Sequence, residues 1–481
     1  MARFVRTAER RTVMMSIGKS ISSCALALAL LLSVSSTASA VEKGEPAVTS
    51  QVPTTPVLSV RRFPGVLQAA SSDSELIASL GQYLNKVVGT TCALVEQDGR
   101  VIFSHKESES LSPASTIKLA TAIAALDILG PDSTFTTRFV ASEVPKNGVI
   151  EGDLYVIGGG DPLFATTGYK TSFDDPDQFY EDLTSLADTL ADAGVRQISG
   201  GIVGDESRYD ATRWVPSWPT RYQIGGTVAP LSALLVNDGS TGYSDTPSDS
   251  TANRKAGDSP LLFAQTLRTV LNTRGIMVAG EASTGRAPTG ASEIASFESV
   301  PMTEVLSEML TNSDNTTAEL VTKEIGFQAK GQGTTTAGID AIKESLTRQG
   351  FDLAGLVMLD GSGLDPNNRM TCTLDLALVS AISKTPEVLA ALPMGGRTGT
   401  LRKRMLATAS TGRVRAKTGT LNSVNALSGY ADTPQGNVLT FSFIHNGNDI
   451  RTTGVADGFT DRLMIYAKGS KIASLGPLPA K

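Results

Sequence analysis

The stretch SPASTIKLATAIAALDILGP, residues 112–131, decides how this chain is read. Its apolar run predicts a helix over Ile117–Leu129, stopped by Gly130-Pro131, because glycine readily ends a helix and proline cannot continue one. Ser115 falls at the start of that helix, where a hydroxyl meets unpaired backbone N–H groups and the positive end of the dipole. Lys118, three residues on, shares its face. A serine hydroxyl is a poor nucleophile at neutral pH, so a neighbouring base must take its proton. Lys118 can do this only as a free amine, a state that burial and a second cation such as Lys417 favour by lowering its pKa. Taken alone, Ser-x-x-Lys also describes an N-cap serine beside a solvated lysine. A second copy, Ser16/Lys19, lies in a segment expected to be removed.

Two further elements give the pair its meaning. Ser313-Asp314-Asn315 lies between the helical stretches Thr303–Leu310 and Thr317–Phe327, where by itself it reads as a helix cap. Lys417-Thr418-Gly419-Thr420 ends the strand-like Val414–Ala416. Arg397-Thr398-Gly399-Thr400 is a near copy, but it follows Pro393 and Gly395-Gly396 and lacks strand character. Ser423-Val424-Asn425 repeats Ser-x-Asn but directly follows the lysine motif, which leaves none ahead of it. In this order the three elements resemble the signature of the β-lactamase/transpeptidase superfamily. More narrowly, the chain resembles the low-molecular-mass class C penicillin-binding proteins. These are serine D-alanyl-D-alanine carboxypeptidase/endopeptidases with a large insertion between the first two motifs. Gly158-Gly159-Gly160-Asp161-Pro162, Asp360-Gly361-Ser362-Gly363-Leu364 and Gly399-Thr400-Leu401 are similar to that family too, and the resemblance runs from about Ser74 to about Ala467. The insertion is short for the family.

At 481 residues the chain exceeds what one core fills, so more than one domain is expected. Arg3, Arg6, Arg10, Arg11 and Lys19, an apolar run from Cys24 to Leu32 and Ala38-Ser39-Ala40 mark residues 1–40 as a signal peptide, and hence an exported, cell-envelope protein. The apolar run is shorter than the roughly 20 residues of a spanning helix, so cleavage after Ala40 is expected; left uncleaved, the segment would tie the protein to the membrane. Residues 41–70 read as a linker or extended arm, rich in Pro, Thr, Ser and Val. A helix over Glu75–Val87 and strands at Cys92–Glu96 and Val101–Ser104 open the first part of the main domain, residues 71–138. Residues 139–294 change to short β-like pieces around one helical stretch, Pro260–Leu271, and read as an inserted domain. The second part, 295–481, adds strands at Val414–Ala416, Ala426–Tyr430 and Val438–His445, with a last helix near Phe459–Ala467. The fold class is therefore α+β: a transpeptidase-like domain with a five-stranded antiparallel sheet flanked by helices, interrupted by a β-rich insertion between the first and second motifs.

The resemblance implies Ser115 as nucleophile, Lys118 as base and Ser313 as the relay of the proton to the leaving amine. It gives Asn315, Lys417, Thr418, Gly419 and Thr420 to substrate: Asn315 holds its amide and Lys417 with Thr418 grips its terminal carboxylate. The Ser115 and Thr420 N–H groups form an oxyanion hole, aimed at charge that develops only in the transition state. The implied substrates are peptidoglycan stem peptides, with β-lactams as covalent inhibitors and no cofactor. A net charge of −6 excludes a broad nucleic-acid surface. Two histidines and no CxxC argue against a metal enzyme. Once residues 1–40 are gone, Cys92 and Cys372 remain, as a disulfide or as two buried thiols.

Two competitors stand against this reading. A class A β-lactamase needs a deacylating glutamate in a Glu-x-x-x-Asn setting between the second and third motifs, and Glu319, Glu324, Glu344 and Glu387 all lack that Asn. A non-catalytic wall-binding protein would not need Ser115, Lys118, Ser313, Asn315 and Lys417 intact. Trp214, Trp218 and Tyr222 line either a core or a groove. His445 has no Gly-x-Ser-x-Gly elbow to support a Ser-His-Asp triad.

Overall fold

The computed structural model describes residues 64–173, 175, 178–242, 257–447 and 454–467. The expected signal peptide (1–40) and residues 41–63 of the expected arm lie outside them. The first described helix, Pro64–Leu84, begins well before Ser74, so residues 64–70 are helical and not an extended arm. Proline suits the first turn, where its fixed φ is already helical and its missing N–H goes unused, and Ala69-Ala70 favour continuation.

Five antiparallel strands form the main sheet, in the spatial order Val414–Leu421, Val424–Asp432, Val438–Asn446, Thr90–Gln97, Arg100–His105. The N-terminal hairpin joins the C-terminal meander along one seam, Thr90 opposite Asn446 through Glu96 opposite Thr440. Successive side chains of a strand point to opposite faces. Ala93 and Val95 accordingly enter the core under the first and last helices, with Leu76, Leu80, Phe441, Phe443 and Phe459. Cys92 and Leu94 point the other way, into a small cluster with Leu111, Ala114, Cys372 and Leu376. Cys92 and Cys372 are bonded, Cα to Cα 5.9 Å, across a sequence separation of 280.

On that second face lies a helical layer. The helix Lys118–Ile128 is buried from Lys118 to Ala125 and packs against Met302–Thr311, Asn315–Lys330, Thr335–Arg348 and Cys372–Ile382. Leu119, Ile123, Leu306, Val321, Ile342 and Leu378 share its core. Buried on every side from Lys118 to Ala125, the helix shows solvent no face there, which is why the stretch reads as strongly apolar.

Between the first and second motifs, strands from Thr136 to Glu298 build a separate five-stranded sheet with parallel and antiparallel pairs. Two helices cover it: the expected one, here Ser259–Thr273, and Thr184–Asp192, which the sequence reading passes over. Leu186, Leu190, Phe263 and Leu267 from these helices close a core of its own with Phe139, Leu154 and Ile202. The last helix runs over Gly454–Leu463, upstream of the expected Phe459–Ala467. Residues beyond Leu463 leave it to bond elsewhere: Tyr466 Oη donates to Gln97 Oε1 at 2.9 Å, and Ala467 O accepts from Ser72 Oγ at 2.7 Å.

Candidate active site

Ser115 sits in a 3₁₀ turn, Ala114–Ile117, just ahead of the helix that begins at Lys118. Ala114 holds φ at 48°, a left-handed conformation that costs a non-glycine residue about 1–2 kcal/mol. Two close backbone approaches hold the turn. A Cβ on Gly363 would lie 2.0 Å from Ala114 O and 2.9 Å from Ser115 N, and one on Gly419 would lie 2.4 Å from Pro113 O. Gly363 also has φ at +86°, which disfavours any side chain. Gly363→Ala should therefore displace the Ser115 hydroxyl and slow acylation at it about 100-fold, because a 1 Å misplacement has effects of that order. Gly81→Ala, with nothing within 4 Å of its Cβ, should acylate normally. Acylation rates measured on folded protein check both, and a Gly363→Ala enzyme as fast as the parent would overturn this account of the turn.

Lys118 is fully buried, and its Nζ lies 2.9 Å from Ser115 Oγ, 2.8 Å from Asn315 Oδ1 and 2.6 Å from Ser362 O. Burial pushes the amine down to about 8 against the opposing pull of Asp314, Asp360 and Glu319. The repulsion expected between the two cations is seen at Lys417. Burial first, and then Lys118, hold Lys417 well below the ordinary lysine range.

The second motif serves as cap and site wall together. Asp314 caps the helix Asn315–Lys330 by accepting from Thr317 N at 2.5 Å, so the capping assigned to this motif is real. Ser313, at φ 59°, and Asn315 flank that cap and turn to the cleft. Asn315 Nδ2 donates to Thr227 O at 2.9 Å, which turns its Oδ1 toward Lys118. On the edge strand of the main sheet, the buried Lys417 donates to Ser313 Oγ at 2.7 Å and Thr418 O at 3.0 Å.

Ser115, Ser313, Asn315, Thr418 and Thr420 line one cavity of about 510 Å³. Lys118 and Lys417 lie beneath its wall and reach it through the Ser115 and Ser313 hydroxyls, while Gly419 packs against the Ser115 turn. Tyr222, Thr227, Leu364, Thr400 and Arg404 also line it. Of these, Thr400 comes from the near copy of the lysine motif, and its hydroxyl lies 2.9 Å from that of Thr418. Trp218 is buried with its Nε1 donating to Asp360 Oδ2 at 2.8 Å, so within the aromatic cluster the cleft residue is Tyr222 and Trp218 is core. His445 pairs with Thr91 Oγ1 at 2.8 Å. Asn425, from the repeated Ser-x-Asn, accepts from Ala456 N. Gly158, Gly159 and Gly160 form a packed turn whose Cβ positions are filled by Ala233 O, Thr136 O and the Tyr209 hydroxyl.

A buried amine touching a cleft hydroxyl, a side-chain amide beside it and an edge strand across the cleft suit acyl transfer from a peptide laid along that strand. Comparison with known proteins agrees. The chain matches the D-Ala-D-Ala carboxypeptidase 3 (S13) family over residues 74–260 and 248–457. It is 30% identical to a D-alanyl-D-alanine carboxypeptidase of Actinomadura sp. (strain R39), over 77% of this chain and 80% of that one. It is 31% identical to carboxypeptidase DacB of Mycolicibacterium smegmatis, over 79% of each. Its fold is similar to penicillin binding protein 4 (dacB) from Haemophilus influenzae, with TM-score 0.67 and 20% identity over 81% of this chain and 99% of that one. That protein has also been solved complexed with a β-lactam.

Proposed function

The chain belongs to the D-Ala-D-Ala carboxypeptidase 3 (S13) family and is a serine-type D-alanyl-D-alanine carboxypeptidase, and we propose that it works through an acyl-enzyme at Ser115. Its substrates are peptidoglycan stem peptides, from which it removes the terminal D-alanine or whose cross-bridges it cuts. Lys118 takes the Ser115 proton as the hydroxyl attacks the carbonyl of the penultimate D-alanine. The Ser115 and Thr420 N–H groups stabilise the oxyanion, and Ser313, with Lys417 behind it, passes a proton to the leaving amine. Asn315 holds the substrate amide, and Thr418 meets the terminal carboxylate, with Lys417 supporting it from beneath the wall. Water then releases the acyl group.

The observation that carries this reading is the contact of the buried Lys118 amine with Ser115 Oγ at 2.9 Å and Asn315 Oδ1 at 2.8 Å, on the same cleft as the Lys417–Ser313 pair. The lactamase alternative has no support among the glutamates. Glu319 is committed to backbone amides, Glu324 to Arg208 and Glu344 to Lys330. Residues 139–294 are read as an inserted domain, supported by the core they close among themselves.

Two incubations test the function. A synthetic stem peptide ending in D-Ala-D-Ala should release free D-alanine, and a fluorescent penicillin should give an adduct that survives denaturing electrophoresis. Fast penicillin turnover with no lasting adduct would instead mark a lactamase, and no reaction with either compound a non-catalytic wall protein.

Export to the cell envelope is part of the same proposal. It is supported by the character of residues 1–40 and by the Cys92–Cys372 bond, since structural disulfides persist in oxidising compartments. No helix among the described residues is long and apolar enough to cross a membrane.

A further inference from the structure

A free amine has two N–H groups and one lone pair, yet three oxygens surround Lys118 Nζ. Ser115 Oγ can donate, whereas Asn315 Oδ1 and Ser362 O can only accept. The two N–H groups are therefore spent on Asn315 and Ser362, and the lone pair is left facing the Ser115 hydroxyl, as a base requires. This works only while Asn315 and Ser362 stay in place. Asn315 is held by Thr227 O and by its helix.

Ser362 belongs to a loop, and the loop is held by two buried carboxyl groups. Glu319, one turn along the helix from Asn315, is fully buried, and its Oε1 accepts from Gly361 N at 3.0 Å and Ser362 N at 2.8 Å. Asp360 Oδ1 accepts from Gly363 N at 2.8 Å, the amide joined to the Ser362 carbonyl. Trp218, Asn368 and the Asp365 amide hold Asp360 in turn. Asp360 is thus an anchor of the whole loop, while Glu319 reaches only the two amides ahead of the carbonyl. Glu319 Oε2 has no partner among the described residues.

We infer that Glu319 is a positioning residue for Lys118: by clamping the Gly361 and Ser362 amides it fixes the Ser362 carbonyl on the amine and so aims the lone pair at Ser115. This rests on Lys118 being the base of the proposed reaction. Charge does not explain the residue. Burial, and then Asp360, raise the Glu319 carboxyl to about 8, so near neutral pH it carries a proton on the otherwise unpartnered Oε2. A neutral side chain with one accepting oxygen in the Oε1 position should do the same work, and glutamine provides it.

The test measures acylation by a fluorescent penicillin, separating the acylation rate constant from the preceding binding constant, in the parent, Glu319→Gln, Glu319→Ala and Ser115→Ala proteins. Glu319→Gln should acylate within about threefold of the parent at neutral pH. Glu319→Ala should lose about 30- to 100-fold in the rate constant with binding unchanged, the size expected for a misaimed base. Glu319→Ala as fast as the parent would overturn the inference. So would Glu319→Gln as slow as Glu319→Ala, which would assign the role to charge, or a loss confined to binding. If Glu319→Ala fails to fold, Glu319→Gln alone still decides, since a loss beyond about tenfold in that variant contradicts positioning. A parent protein that does not label, or labels as well without Ser115, removes the underlying reading, an outcome distinct from all of these.

Discussion

Ser115→Ala is expected to abolish covalent labelling by penicillins and to lower D-alanine release by at least about 10⁴-fold, the range seen when an acyl-transfer nucleophile is removed. The size follows from what the cleft offers in its place. Ser313 Oγ accepts from Lys417, whereas the Lys118 amine is engaged with Ser115, Asn315 and Ser362, so Ser313 does not inherit the base. The hydroxyl of Thr418 is engaged with Thr400. What is left in the variant is binding and oxyanion stabilisation without a bond to make. Stability should change little, since the substitution removes one hydroxyl from a turn held by Gly363 and Gly419. Intact-mass spectrometry after penicillin treatment reads the result directly. An adduct of the same mass formed at the parental rate, or one mapped to the peptide carrying Ser313, would end the assignment.

The second large effect belongs to Lys118. With its amine near 8, the free-base fraction falls about tenfold for each pH unit below that value, and acylation should fall with it. The sign is fixed by burial: desolvation disfavours the ammonium, so raising pH through about 8 increases the rate, and lowering it protonates the base and stops the reaction. Lys118→Ala should lose about 10²- to 10⁴-fold in acylation together with that pH limb. Lys118→Arg should be as inactive, because a guanidinium does not give up its proton in this range. Acylation rates from pH 6 to 9 for the three proteins check this. A Lys118→Ala protein that acylates normally, or a parental rate flat across the range, would refute the role of the lysine.

Much of this site is legible in the sequence because its chemistry sits in three short motifs, each at a helix start or strand end where few residue types fit. Ser313-Asp314-Asn315 shows how far such reading goes. Asp314 does cap a helix, and the cap is what turns Ser313 and Asn315 into the cleft. Thr227 is absent from the sequence expectation, and Tyr222, Thr400 and Ser362 enter it without a place beside Ser115, because they lie on loops and short helical turns that only tertiary packing brings there. The Asp360–Leu364 stretch was visible as a family-like segment, yet nothing local says that its value is one backbone carbonyl.

The helices show the same division. Thr335–Arg348 carries helical spacing in Ile339, Ile342 and Leu346 and could have been read from it. Cys372–Ile382 is buried on nearly every side, so no polar face marks its period, and its one acidic residue, Asp375, is turned inward to the hydroxyls of Ser428 and Ser442. Cys372 has Cys92 as its one candidate partner once residues 1–40 are gone, yet nothing local says that they bond, because the approach depends on a sheet assembled from the two ends of the chain.

That pairing makes residues 92 to 372 a closed covalent ring, and the ring contains the whole insertion. A single proteolytic cut anywhere inside it opens the ring without parting the molecule. For a cut in the insertion, one piece carries Ser115 and Lys118, the other Ser313 and Lys417, and the sulfur bridge still leashes them together. Such a nicked enzyme travels as one species until a reductant reaches a bond that lies beneath the turn carrying Ser115.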